Sequence, residues 1–170
     1  MKLVYIANIR IPTEKAHGIQ IMKMCESFAA LKIKGQDMEV ELIVPGRSNI
    51  IKEDPFLFYN VKQDFKITKI PCFGLLSLPG FWGKVSFLIQ EISFLLMARG
   101  YLLFKRFDLV FTREQLTGLF FKNFILEIHS IPKKISFFHK IIWQRSTELV
   151  VLTNYIKNLI VASGLSLERY

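Results

Sequence analysis

The sequence predicts an α/β domain in which a doubly wound, mainly parallel sheet of about six strands carries helices on both faces. Short, mainly apolar runs alternate with helix-length segments along the chain, and several of these runs are apolar along nearly their whole length. Such strands are buried on both faces, as in parallel sheets covered by helices. With 170 residues, 51% of them hydrophobic, the chain has the length of one domain and is too apolar for intrinsic disorder.

The predicted strands end at residues that favour turns. The first run is followed by Asn8, the second by Pro45 and Gly46, and the third by Pro71. In chain order, the predicted strands are 3–7, 40–44, 65–70, 109–112, 125–128 and 149–152. We expect an irregular connection over residues 49–60, before the third strand.

Segments with helical length and spacing separate these strands. The predicted helices cover residues 18–31, 82–104, 115–122, 134–146 and 155–163. The second is the longest apolar segment of the chain, and Gly100 near its end predicts a break there. Gly164 follows the last helix, at the position where a glycine commonly closes a helix.

The charge balance indicates an anionic partner. Lysine and arginine total 23 and aspartate and glutamate total 14, which gives a formal net charge of +9. A nucleic acid or an anionic membrane fits such a surface. The sequence has no helix-turn-helix, RNP or zinc pattern, so we expect no nucleic-acid partner.

Missing motifs exclude several classes of protein. Cys25 and Cys72 belong to no CxxC motif, which argues against a zinc module or a secreted disulfide framework. Neither GxGxxG nor a Walker A loop is present, and GxSxG and HExxH are absent too, so dinucleotide, ATP and hydrolase sites have little support. The N-terminus lacks the long apolar run of a signal peptide, and we expect a cytoplasmic location.

Candidate site residues follow the predicted strands, because ligands bind beyond the carboxyl ends of the strands in an open parallel sheet. The loop after the first strand carries Arg10, Lys15 and His17 and ends in Gly18 at the start of a helix. Backbone N–H groups and the helix dipole favour an anion there. Two interpretations stay open: the loop holds a phosphate, or Gly18 only permits a tight turn.

Charged residues also follow the fourth and fifth strands. Arg113 and Glu114 form either an ion pair at the rim of the crevice or part of a binding site. His129 either donates a hydrogen bond to a substrate and stabilises developing charge, or is a solvated loop residue. We expect Glu127, within an apolar strand, to pair with a neighbouring arginine or lysine, and His139 to lie on a helix surface.

Residues 75–106 have the composition of a membrane-contacting surface. Phe81 and Trp82 lie near leucines and glycines, which suits the bilayer interface. The following helix is long enough to span a bilayer, but three costly residues lie near its middle: Gln90, Glu91 and Arg99. We expect docking on an anionic membrane surface, with a helix buried beside the sheet as the alternative.

Several segments together carry a family resemblance. They are residues 10–20 (RIPTEKAHGIQ), 40–45 (VELIVP), 108–114 (DLVFTRE), 126–129 (LEIH) and 149–154 (LVVLTN). In order and spacing they resemble the N-terminal domain of family 4 glycosyltransferases with the GT-B fold, over nearly the whole chain. The resemblance implies a Rossmann-like half of an enzyme that transfers a sugar from a nucleotide-sugar donor with retention at the anomeric carbon.

The resemblance also implies roles for individual residues. His129 matches the histidine that contacts the donor sugar near the reaction centre, and Gly18 matches the glycine loop that approaches the donor diphosphate. The usual double glycine of that loop is replaced here by Ala16-His17-Gly18. The acceptor enters on this half, and we assign five residues to it: Arg10, Lys15, His17, Arg113 and Glu114. No metal is expected, and no cofactor besides the donor substrate.

In that family a C-terminal domain supplies a pair of glutamates eight residues apart, and no two glutamates of this sequence have that spacing. We therefore expect residues 1–170 to be a single, truncated or split, N-terminal domain that is inactive without a donor-binding domain in cis or in trans. The expected acceptor is a glycan or a lipid-linked sugar of cell-envelope polysaccharide synthesis, at the inner face of the membrane. A non-catalytic binding module with a basic face for an anionic partner is the alternative.

Overall fold

A computed structural model of the protein describes residues 1–73, 80–132 and 134–165. Within them the strands are β1 (Lys2–Ile6), β2 (Lys32–Ile33), β3 (Gln36–Asp37), β4 (Glu39–Pro45), β5 (Lys66–Ile70), β6 (Leu109–Thr112), β7 (Phe124–Ile128) and β8 (Glu148–Val151). The helices of the same ranges are α1 (Ala16–Ala29), α2 (Pro55–Phe58), α3 (Gly80–Leu103), α4 (Thr117–Phe120), α5 (Phe137–Arg145) and α6 (Asn154–Ala162).

Six of these strands form one parallel sheet in the order β5-β4-β1-β6-β7-β8. The chain winds outward from β1 in one direction and then from β6 in the other. A doubly wound sheet has its ligand crevice at the carboxyl ends of the strands where this direction changes. The predicted fold class is confirmed, and the ends of β1, β6 and β7 meet at that edge.

Two apolar clusters cover the two faces of the sheet. On one face, Ile21, Met22 and Cys25 of α1 belong to a buried cluster with side chains of β1 and β4. On the other face, Phe94 and Leu95 of α3 belong to a cluster that also includes buried residues of α5 and α6. We refer to these as the α1 face and the α3 face.

Helix α3 runs unbroken through Gly100, so the predicted break there is wrong. A Cβ at Gly100 would meet no atom within 4 Å outside its own helix segment, which leaves the glycine without a packing conflict. Ala98 and Leu102 on either side of it are buried in the core. Packing of these neighbours holds the helix together across a residue that by itself disfavours helix.

Helix α3 also begins earlier than predicted, at Gly80. Phe81 and Trp82 therefore lie in its first turn and not in a loop, with 72% and 65% of their surfaces exposed. The rest of the expected loop, residues 74–79, lies outside the described residues.

Three small elements differ from the prediction. Helix α4 is four residues long, shorter than the predicted 115–122. The expected irregular connection contains α2, whose N-terminus is capped by the carboxylate of Asp54. Strands β2 and β3 form a hairpin whose turn residues, Lys34 and Gly35, have φ of 52° and 78°. Capping and turn geometry define α2 and the hairpin, so apolar periodicity did not reveal them.

Candidate functional site

A buried ion pair joins the ends of two neighbouring strands on the α1 face. Arg113 follows β6 directly, and Glu127 lies in β7. The Nε atom of Arg113 lies 2.8 Å from Oε2 of Glu127, and Nη2 lies 3.4 Å from Oε1. Their side chains are only 13% and 4% exposed. The expected basic partner of Glu127 is thereby confirmed as Arg113.

His129 contacts the same carboxylate. Its Nε2 atom lies 2.9 Å from Oε1 of Glu127, which makes an ion pair when the imidazole is protonated. Among the described residues Nε2 has no hydrogen-bond partner of normal geometry, so the contact with Glu127 is not an aligned hydrogen bond. The His129 side chain is 32% exposed and borders open space.

Helix α1 holds the guanidinium of Arg113 from the other side. Nη1 of Arg113 donates to Oε1 of Gln20 at 3.2 Å, and Nη2 lies 3.1 Å from Sδ of Met24. Gln20 and Met24 are four residues apart on a helix, so they share one face. Arg113 is therefore fixed between α1 and β7.

A cleft of about 300 Å³ opens beside this ion pair. Its lining residues come from α1 and from the ends of β6 and β7: His17, Gln20, Arg113, Gln115, Glu127, Ile128, His129 and Ser130. A second groove of about 650 Å³ shares His129 and Ser130 with it and extends to Tyr155, which is 71% exposed. Small-molecule sites have volumes of this size, and His129 stands between the two spaces.

The N-terminus of α1 lies at the rim of this cleft. Among the described residues no side chain caps it, and its N-cap residue is Lys15. The pKa of His17, in the first turn, is lowered by burial and by the charges of Lys15 and Arg113. First-turn N–H groups, a lysine and an arginine together create the positive environment that an anion such as phosphate favours.

Gly18 is explained by packing. A Cβ at this position would collide with the hydroxyl of Tyr59 and with the methyl group of Thr13. The Tyr59 hydroxyl is fixed there, because it accepts a hydrogen bond from the N–H of Thr13 at 2.6 Å and donates to its carbonyl at 2.7 Å. The N–H of Gly18 donates to the carbonyl of Lys15 at 2.9 Å, so an anion would meet the preceding N–H groups of α1 first.

Glu114 points away from the Arg113–Glu127 pair, toward α3. Its Oε1 atom accepts a hydrogen bond from the backbone N–H of Asn8 at 3.2 Å, and burial raises the pKa of Glu114. Arg113 pairs with Glu127 across the strands, so the ion pair between Arg113 and Glu114 that was considered from the sequence does not form.

Glu114 belongs to a second polar cluster at the same edge of the sheet. Oδ1 of Asn8 accepts hydrogen bonds from Arg47 and from Gln90 of α3. Burial, together with the charge of Glu114, raises the pKa of Glu91 to about 7. The charge of Arg10 acts on Arg47. This cluster contains two of the residues assigned to the acceptor, Arg10 and Glu114.

The structure therefore divides the predicted site residues. It brings three of them to the cleft on the α1 face, His17, Arg113 and His129, and Lys15 lies next to them as the exposed N-cap residue of α1. Glu114 lies toward α3, the exposed Arg10 is close enough to Arg47 for its charge to act on it, and Phe81 and Trp82 lie on α3 itself. His139 lies on the surface helix α5, as expected, where its Nδ1 accepts a hydrogen bond from the N–H of Ser136 at 3.2 Å.

Several lining residues were missed from the sequence, among them Gln20, Gln115 and Tyr155. Gln20 lies three residues after His17, so helical spacing indicates that both share one face. Tyr155 comes soon after β8, where the strand-end rule applies as well. Uncharged glutamine and tyrosine side chains give no signal of their own in the sequence.

Comparisons with known proteins bear on the fold. No protein-family model and no curated protein matches the sequence. The solved structure of sucrose-phosphate synthase from Thermosynechococcus elongatus is similar over 97% of this chain, with a TM-score of 0.62 and 12% identity. That of the lipopolysaccharide outer core galactosyltransferase WaaB, in its apo form, is similar over 99%, with a TM-score of 0.57 and 15% identity.

Both neighbours are glycosyltransferases of the GT-B fold. The chain spans 45% of the first protein and 44% of the second, which is less than half of each. At these identities the likeness concerns the fold. The chain has an α/β, Rossmann-like fold that matches part of each of these proteins.

Proposed function

We propose that this chain is the acceptor-side half of a retaining glycosyltransferase, which moves a sugar from a nucleotide-sugar donor to a glycan or a lipid-linked acceptor. The observation that carries the proposal is the cleft in which Arg113, Glu127 and His129 are joined beside the N-terminus of α1. It combines an imidazole next to a space of ligand size with a positively charged wall. A nucleotide sugar presents hydroxyl groups and a diphosphate, which match these two features.

The positive wall suits the diphosphate of the donor. Negative charge grows on the diphosphate as its bond to the sugar breaks, and hydrogen-bond donors and charges already in place stabilise it most effectively. The first-turn N–H groups of α1 and the ammonium of Lys15 supply them here. His17, with its lowered pKa, stays neutral at pH 7 and offers a hydrogen bond. In this assignment Gly18 acts by letting the start of α1 approach Tyr59.

We assign His129 to the donor sugar. Its Nε2 faces Glu127, so the exposed part of the ring borders the cleft and offers a hydrogen bond to a sugar hydroxyl. The carboxylate of Glu127 contacts Nε2 and holds the imidazole ring in place. Arg113 in turn holds that carboxylate in position. His129 is the catalytic residue of this scheme, and Arg113 and Glu127 are positioning residues.

We keep Arg10 and Glu114 on the acceptor side, in the polar cluster next to Asn8 and Arg47. Carboxyl and guanidinium groups at a strand end offer hydrogen bonds to the hydroxyls of an acceptor sugar. The cluster and the cleft lie on either side of the ends of β1 and β6. An acceptor held by the cluster would approach a donor sugar at His129 from the neighbouring strand end.

The proposed enzyme needs a second Rossmann-like domain, in cis or in trans. Both similar structures are more than twice as long as this chain, which spans 45% and 44% of them. Val150 lies beside Glu127 in the sheet register, on the α1 face, and is 38% exposed. Strands of parallel sheets are normally covered on both faces, and an uncovered strand supports a missing partner. We propose that the assembled enzyme works in cell-envelope polysaccharide synthesis, at the cytoplasmic face of a membrane.

The proposal is tested with labelled nucleotide sugars and the purified chain, alone and mixed with an extract of source cells that lack its gene. We expect no transfer by the chain alone, because the donors that clamp the diphosphate from the second domain are missing, and transfer from one donor in the mixture. Transfer by the chain alone above a denatured control, or no gain in the mixture, contradicts the proposal. Binding of an anionic partner without any transfer would favour the non-catalytic binding module.

A further inference from the structure

Helix α3 buries one side and leaves an apolar stripe on the other. Its buried residues share the side that faces the sheet: Ser86, Gln90, Glu91, Phe94, Leu95, Ala98 and Leu102. Leu88, Ile92, Leu96 and Leu103 follow one another along the opposite side and are 46%, 37%, 54% and 61% exposed. The helix is long and apolar enough to cross a membrane. Only 33% of its most apolar stretch of 18 residues is buried inside the domain. Single exposed leucines are ordinary, whereas a continuous stripe marks a contact surface.

The first part of α3 extends past the edge of the sheet. Nε2 of Gln90 lies 3.4 Å from Oδ1 of Asn8, which comes two residues after β1, so Gln90 marks the level of the carboxyl edge. Residues 80–89 precede it, and ten helical residues reach about 15 Å. Phe87 and Phe94 are seven residues apart and point to the same side, but Phe94 is 0% exposed and Phe87 is 52% exposed. This difference follows because the sheet no longer reaches Phe87.

The charges around the stripe are positive. Within residues 80–106, all of them described by the structure, Glu91 is the only carboxylate, and it is 8% exposed. Burial raises its pKa to about 7, so it adds little negative charge. The cations of the same segment are Lys84, Arg99, Lys105 and Arg106, of which Lys84 and Arg106 are exposed. An apolar stripe with a cationic rim is complementary to an anionic bilayer surface.

Contacts with the domain show how α3 would meet such a surface. Gln90 is bonded to Asn8, and Phe94, Leu95 and Ala98 are part of the core on the α3 face. A helix that crossed the bilayer would have to give up these contacts. The helix can therefore lie on a membrane with its outer stripe while its inner side stays on the sheet.

We infer that the outer face of α3 docks this domain on an anionic lipid bilayer, with Phe81 and Trp82 inserted at the interface. Because residues 80–89 project beside the carboxyl edge, docking holds the polar cluster of Asn8, Arg47 and Glu114, which lies toward α3, close to the headgroups. That position suits a lipid-linked acceptor, a consequence that rests on the proposed function, whereas the docking itself does not.

Vesicle flotation tests this inference. We expect the chain to float with vesicles rich in phosphatidylglycerol at low salt. We expect it not to float with vesicles of phosphatidylcholine alone. Double substitution of Phe81 and Trp82 by serine should lower the bound fraction at least tenfold, and Phe137→Ser is the matched control, because Phe137 is a 78% exposed aromatic residue on α5. Lys84→Gln with Arg106→Gln should weaken binding to anionic vesicles roughly tenfold or more, since each cation near the surface contributes separately.

Fluorescence gives an independent readout. The described tryptophans are Trp82, 65% exposed, and Trp143, 2% exposed, so a Trp143→Phe variant reports on Trp82 alone. We expect its emission to shift to shorter wavelength with anionic vesicles. No flotation at low salt, or flotation equal in the serine variant and in wild type, overturns the inference. A dimer in solution that the serine substitutions dissociate, without lipid binding, overturns it too and assigns the face to a second copy. None of these results depends on sugar transfer, so the failure of either proposal is distinguishable from that of the other.

Discussion

Arg113 and Glu127 extend the pairing of β6 and β7 by one residue. The last paired residues of these strands are Thr112 and Leu126, so the next two lie side by side and face the same side of the sheet. There the Nε atom of Arg113 meets Oε2 of Glu127 at 2.8 Å. The strand register therefore brings Arg113 and Glu127 together, and His129 contacts the carboxylate of this pair.

Glu127→Gln should lower the free energy of unfolding by about 2–4 kcal/mol, because it leaves a largely buried guanidinium without its counter-charge. Replacing both partners, Arg113→Met with Glu127→Leu, should recover much of this loss, since neither charge then stays unpaired. Urea unfolding of Arg113→Met, Glu127→Leu and the double variant, beside Glu127→Gln, measures the coupling.

An exposed ion pair provides the control for that cycle. Lys32 and Asp37 lie 3.5 Å apart with side chains 70% and 82% exposed, and Asp37→Asn should cost less than about 1 kcal/mol. If Glu127→Gln is as mild as Asp37→Asn, the pair of Arg113 and Glu127 does not hold the cleft together.

Gly18→Ala should destabilise the protein by about 1–3 kcal/mol, because its Cβ would collide with the hydroxyl of Tyr59. Tyr59→Phe in the same chain should restore part of the loss by removing the colliding atom. Gly100→Ala is the matched control: space surrounds that position, and alanine should stabilise α3 by about 0.5–1 kcal/mol. Thermal unfolding of the three variants checks this, and an undiminished melting temperature for Gly18→Ala would contradict the packing role.

A buried carboxylate at the opposite edge of the sheet makes stability depend on pH. Oε1 of Glu41 in β4 accepts hydrogen bonds from Thr68 at 2.6 Å and from Tyr101 at 2.7 Å. Three lysines surround the group: Lys2, Lys66 and Lys105. Burial alone would raise the pKa of Glu41, but these hydrogen bonds and charges outweigh it and lower the pKa to about 2.

Because its folded-state pKa lies below the unfolded value of 4.5, Glu41 stabilises the fold above pH 4.5, and this contribution disappears as the pH falls toward 2. Glu41→Gln should therefore lower the free energy of unfolding at pH 7 by about 1–3 kcal/mol and flatten its decline between these pH values. Glu39→Gln, a 69% exposed neighbour of Lys2, should leave the profile nearly unchanged. An equal loss of stability at acid pH in wild type and in Glu41→Gln would contradict this role of Glu41.

The sheet could be predicted from the sequence because most positions of its strands are apolar. A short apolar run such as 109–112 predicts a strand in a sheet that is covered on both faces. The positions of these runs also predict the order of strands and helices along the chain. The hairpin at Lys34 and Gly35 and the capped turn after Asp54 depend on local geometry, which apolar periodicity does not report. The course of α3 through Gly100 depends on packing of its neighbours, which becomes visible only in three dimensions.

The site was predictable to the extent that strand ends converge. The strand-end rule selected Arg113 and His129, and the structure places both at one cleft. That Glu127 pairs with an arginine or lysine was predictable, but that this residue is Arg113 was not, because Arg113 is adjacent to Glu114 in sequence and to Glu127 only through the register of two strands. The direction of Glu114 toward α3 likewise follows from the alternation of side chains across a strand end.

The central claim, that His129 acts on the donor sugar, is tested most directly by the rate of transfer in the mixture of purified chain and extract. His129→Ala should lower kcat by roughly 10²-fold or more while leaving the melting temperature nearly unchanged. His139→Ala, on the surface of α5, should keep the rate of wild type. Transfer by the His129→Ala chain at the wild-type rate per folded molecule, or an equal loss in both variants, would contradict the claim.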